Sequence, residues 1–105
     1  MKDFVTYDIG SNLNAEQVFN NVSRALSTFD WRRGDSDAQG PYISGTNDEL
    51  IQVKLWLGEA PIQMSVSFRR AWPDAIDREN RKQQLIESIT KNLIPSLGTL
   101  LKMDA

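Results

Sequence analysis

Leu50-Ile-Gln-Val-Lys-Leu-Trp-Leu57 and Ile62-Gln-Met-Ser-Val-Ser-Phe-Arg69 each alternate apolar and polar residues, and Gly58-Glu-Ala-Pro61 separates them. A period of two belongs to a pleated strand, whose successive side chains point to opposite faces. Ile51, Val53, Leu55 and Leu57 therefore share one face with Ile62, Met64, Val66 and Phe68. Gln52, Lys54 and Trp56 share the other with Gln63, Ser65, Ser67 and Arg69. The Gly-Pro tetrad between the two runs reads as a turn, which makes them an antiparallel hairpin. One apolar and one polar face indicate a sheet covered on one side only.

The flanking sequence supplies the rest of the sheet and its cover. Residues 3–9 alternate with Val5, Tyr7 and Ile9 on one face, and Gly10 closes this strand. Asn14 has N-cap chemistry, Gln17 completes a capping box, and Glu16 sits in the favourable first turn. Val18, Phe19, Val22, Ala25, Leu26 and Phe29 then recur at helical spacing, which predicts a helix over about residues 15–28. Phe29 to Arg33 reads as a short strand or as the end of that helix. Gly34 to Pro41 is turn-forming throughout, Tyr42 to Thr46 reads as a short strand, and Thr46-Asn47-Asp48 as a turn.

After Trp72-Pro73, Asp74 or Asp77 caps a second helix with polar first turns. Its apolar stripe is Leu85, Ile86, Ile89, Leu93, Leu97, Leu100 and Leu101, with Pro95 expected to kink or split it. Asp74 with Arg78, Asp77 with Arg81, and Glu87 with Lys91 are spaced for helix-stabilising ion pairs. The order β-α-β-β-β-α predicts one α+β domain spanning residues 1–105. Its architecture is a two-layer sandwich, with two helices on the apolar face of a mainly antiparallel sheet.

Composition narrows the chemistry. The 105 residues include no Cys and no His, so thiolate nucleophiles, zinc-thiolate sites and imidazole-based triads are excluded. A net charge of −2, from 12 basic and 14 acidic residues, argues against a domain that works by neutralising phosphates. Binding of single-stranded nucleic acid with Trp31 and Trp56 as stacking platforms lacks the basic surroundings it needs. No apolar run reaches membrane-spanning length, and Met1-Lys2-Asp3-Phe4 lacks the character of a signal peptide. A soluble, cytoplasmic protein without membrane contact is the expectation.

Short motifs carry less. Arg33-Gly34-Asp35-Ser36 spells an integrin-binding tetrapeptide, but nothing else in the sequence suggests secretion. Gly34-Asp35-Ser36 opens a serine-hydrolase signature whose histidine is missing here. Asp35-Ser36-Asp37-Ala38-Gln39-Gly40 follows the first half of a calcium loop. It then departs, with a neutral Gln39 at the fifth position and Thr46 where a bidentate Glu belongs. Any metal would be calcium or magnesium, held weakly at Asp35 and Asp37.

The outward sheet face is the strongest candidate site. A tryptophan among small and hydrogen-bonding side chains is the composition of a recognition surface. The candidate partner-binding residues are Lys54, Trp56, Ser65, Ser67 and Arg69, joined by Trp31 and Tyr42 if the short strands lie alongside. The expected function is non-enzymatic binding of another protein, in the manner of an adaptor, chaperone or inhibitor, or self-association, with no cofactor. The alternative is a small-molecule-binding domain or minor enzyme using the Asp35/Asp37 loop with Lys54, Ser67 and Arg69.

Overall fold

The computed structural model describes residues 4–68 and 75–104. In chain order the elements are β1 (Phe4–Gly10), α1 (Ala15–Ala25), β2 (Asp30–Ser36), β3 (Gly40–Thr46), β4 (Ile51–Trp56) and β5 (Ile62–Phe68). There follow α2 (Ala75–Ser88), a π-helical turn (Ile89–Leu93), α3 (Ile94–Leu97) and β6 (Thr99–Asp104). The strands form one antiparallel sheet in the order β2-β3-β4-β5-β1-β6. The fold is the expected α+β sandwich. Among the described residues, no helix is long and apolar enough to cross a membrane.

The hairpin pairs as its alternation requires, with Ile51 opposite Phe68, Val53 opposite Val66 and Leu55 opposite Met64. These side chains join Val5, Tyr7, Ile9 and Ile43 in a core closed by Val18 and Val22 of α1 and by Ile86, Ile89, Leu93 and Leu97. Fully burying each Val, Leu, Ile, Met or Phe side chain here contributes roughly 1.5–3 kcal/mol, so the apolar face holds the two layers together. Asn14 caps α1 as expected. Its side chain accepts from the Gln17 backbone N–H at 2.9 Å, and the Gln17 side chain accepts from the Asn14 N–H at 3.0 Å.

Several expectations are corrected. Helix α1 stops at Ala25, because Leu26 to Phe29 turn the chain into β2. Of the two readings of residues 29–33 the strand applies from Asp30 onward, and β2 and β3 pair from Asp30–Thr46 to Ser36–Gly40. The turn is thus confined to Asp37-Ala38-Gln39. The integrin-like tetrapeptide lies along this paired strand and not at a loop tip.

The second helix does not run to Leu101. Its backbone passes through the π turn directly before Pro95, which sits in the first turn of α3, where its missing N–H costs little. Gly98 then ends the helix. A side-chain carbon at Gly98 would collide with the Gly10 carbonyl, so the chain can pass β1 closely enough to pair with it. Leu100 and Leu101 enter β6, which adds to β1 with a bulge between Asp8 and Ile9.

The ion pairs differ too. Arg81 pairs across to Glu49, with Nε to Oε2 at 2.9 Å, and not with Asp77. The Glu49 carboxylate holds the Arg81 guanidinium above its ordinary pKa. No Glu87–Lys91 pair forms among the described residues, since the π winding from Ile89 changes the turn between them. Asp77 lies inside the first turn of α2 and not at its cap. Trp72, Pro73, Asp74 and Arg69 lie outside the described residues, as does the proposed Asp74–Arg78 pair. Lys82, in the polar early turns of α2, is buried with its Nζ 5.4 Å from the Phe68 ring centroid and 3.7 Å from Glu79.

Candidate functional site

Because both helices pack on one face, the opposite face of the sheet is bare among the described residues. Strand register arranges its side chains in lines across the strands. Tyr42, Trp56, Gln63, Asp8 and Lys102 form one line. Ser44, Lys54, Ser65, Thr6 and Asp104 form the next, and Gln52, Ser67 and Phe4 follow.

An aromatic cluster lies on this face at the end of β4 nearest the β4–β5 turn. The Tyr42 and Trp56 rings lie 5.1 Å apart at 55°, as directly opposed cross-strand neighbours. The Lys54 Nζ lies 4.4 Å from both ring centroids, so one ammonium is held over two aromatic faces. Each such contact at an exposed site contributes about 0.5–1 kcal/mol. Tyr42 also covers Gly34 on β2, where any side chain would displace its ring. Beside the cluster, Gln52 Nε2 donates to Ser44 Oγ at 3.2 Å.

Two hollows flank Trp56. One, of about 330 Å³, is lined by Thr6, Asp8, Trp56, Gln63, Ser65 and Lys102 among others. The second, of about 570 Å³, lies between the β2–β3 and β4–β5 turns and shares Trp56 and Gln63 with the first. The face therefore presents a ridge of Tyr42, Lys54 and Trp56 beside a polar depression. This arrangement suits recognition through contact, with apolar rings beside hydrogen-bonding groups.

Of the residues singled out in the sequence, Lys54, Trp56, Ser65 and Ser67 share this face, and Tyr42 joins them. Arg69 lies outside the described residues. Trp31 does not belong here. The register sets it opposite Gly45 on the helix-covered side, where it stacks on Phe29 at 5.8 Å and donates its indole N–H to the Leu26 carbonyl at 2.9 Å.

The alternative site is not assembled. Asp35 pairs with Pro41 and points to the helix side, away from Lys54 and Ser67. Asp35 and Asp37 are both exposed, and the described residues contain no cluster of three metal-ligating side chains. Asp8 and Thr6 were readable as outward residues of β1, but their neighbours were not. Lys102 and Asp104 gave no such signal, because β6 continues a leucine pattern that also fits a helix.

Beneath the sheet, Tyr7 is buried with its hydroxyl against Thr90 in the π turn. The Thr90 hydroxyl donates to the Ile86 carbonyl at 2.8 Å, and among the described residues no group meets the Tyr7 oxygen at full hydrogen-bond geometry. Burial pushes the Tyr7 phenol above its ordinary value of 10.0, an effect that Thr90 partly offsets. The chain matches no protein-family model, and no curated protein matches its sequence significantly.

Proposed function

We propose that this protein is a non-enzymatic binding domain that docks another protein chain on its open sheet face. The observation that carries the reading is the Tyr42–Lys54–Trp56 cluster, three large side chains locked together on a face that no described element covers. Large aromatic side chains packed among polar groups are where binding energy concentrates in protein interfaces.

The sheet edges favour the face over strand addition. β2 carries Asp30, Arg32, Arg33 and Asp35 along its length, with Arg32 paired to Asp30 at 3.2 Å. β6 carries a bulge and Lys102. Charged residues and bulges of this kind discourage a further strand from pairing.

Affinity capture from cells with wild-type and Trp56→Ala baits tests the reading. The substitution should leave the circular dichroism spectrum unchanged and weaken the captured complex by about 30-fold, the effect of losing roughly 2 kcal/mol at an aromatic anchor. Equal capture by both baits would refute it.

A further inference from the structure

We infer that the partner for the open sheet face is a second copy of this chain, bound face to face about a two-fold axis parallel to the strands. This deepens the protein-docking reading and rests on it. Among the described residues the sheet has six strands, so an axis between β4 and β5 leaves three on each side. Such an axis stacks β4 on the partner's β5, β3 on the partner's β1 and β2 on the partner's β6, as an isologous interface requires.

The register then fixes which groups meet. The axis preserves each line of side chains, so Tyr42 and Trp56 face the partner's Asp8 and Gln63. The Lys54 ammonium, held equally over the Tyr42 and Trp56 rings, therefore falls between the partner's Asp8 and Gln63, within reach of the Asp8 carboxylate. Among the described residues neither Lys54 nor Asp8 has an ion-pair partner within its own chain. Symmetry makes the contact twice.

The other facing groups agree. Arg32 falls over the partner's Asp104, and the partner's Lys102 falls over Gly34, so no like charges meet among the described residues. Phe4, 49% exposed, falls over the partner's Thr46. The shapes correspond as well, because the axis seats the Tyr42–Lys54–Trp56 ridge in the partner's hollow of about 330 Å³.

Strands about 4.8 Å apart and some 20 Å long give a footprint of roughly 600 Å² for this sheet. That is below the roughly 800 Å² per partner of a standard interface, so the dimer should be reversible and dependent on concentration.

Sedimentation velocity on the wild type, on Lys54→Glu, on Asp8→Lys and on an equimolar mixture of the two variants tests this. The wild type should move from a mass of 11.9 kDa toward twice that value as concentration rises from low to high micromolar. Each variant alone should stay monomeric while keeping the wild-type circular dichroism spectrum, since both its facing pairs become repulsive. Their mixture should recover the dimer, because the introduced glutamate then meets the introduced lysine at one contact, and the native Asp8 and Lys54 meet at the other.

A wild type that stays monomeric throughout would overturn the inference. So would variants that still dimerise alone, or a mixture that does not recover. A monomeric wild type that still loses a captured protein on Trp56→Ala would leave the docking reading standing while removing the second copy as its partner.

Discussion

Gly45→Ala should destabilise the protein, and the cost should vanish when the ring above it is removed. A side-chain carbon at Gly45 would stand 2.6 Å from Cε3 of Trp31 and 2.7 Å from two further ring carbons, about an ångström inside ordinary contact. The ring cannot move away cheaply, since it is stacked on Phe29 and its indole N–H is bonded to the Leu26 carbonyl. Overpacking of this kind costs roughly 1–3 kcal/mol. In a Trp31→Val background the ring is gone, and alanine should then be neutral or stabilising by about 0.5 kcal/mol, because glycine is entropically costly in a strand. The double-mutant cycle should show a coupling of roughly 1–3.5 kcal/mol, read from urea denaturation followed by circular dichroism. A neutral Gly45→Ala in the wild type, or an equal cost in both backgrounds, would refute this packing conflict.

Three further outcomes follow from the same structure. Leu50 sits at φ 58, half-exposed in the β3–β4 turn, so Leu50→Gly should raise stability by about 1 kcal/mol in thermal melts by removing the left-handed strain on a branched side chain. The Asn47 side chain accepts from the Glu49 and Ile51 backbone N–H groups, each at 3.0 Å, and Asn47→Ala should cost roughly 1–2 kcal/mol in the same assay. Above pH 10.0 the unfolded chain releases the Tyr7 proton while the folded chain retains it, because burial raises the folded pKa. Stability should therefore fall as pH climbs past that value, and Tyr7→Phe should show a shallower fall in denaturation measured across alkaline pH.

The readability of this fold tracked how many faces each element exposes. β4 and β5 are half-buried, so their alternation stated both the strands and the face each residue takes. β2 is an edge strand whose Asp30-Trp-Arg-Arg-Gly-Asp-Ser36 sequence buries little, and an element without a buried stripe leaves no periodic signal. β6 was hidden for the opposite reason. Leu93, Leu97, Leu100 and Leu101 fit a helix, and only the close pass of Gly98 against the Gly10 carbonyl diverts the last two into the sheet. Trp31 took the other face because side-chain direction in an edge strand depends on register, and Gly45 provides the gap its ring fills. The Lys54, Trp56, Ser65 and Ser67 group was legible because it lies within one hairpin. Asp8 and Lys102 reach the site through non-local pairing that no local pattern encodes.

The open sheet face is tested most directly by a photo-reactive phenylalanine analogue placed at position 56 and, as a control, at position 83 on the exposed side of α2. Irradiation in cells should yield a discrete protein adduct from position 56 and none from position 83. An adduct from position 83 alone, or no adduct from position 56, would contradict the account.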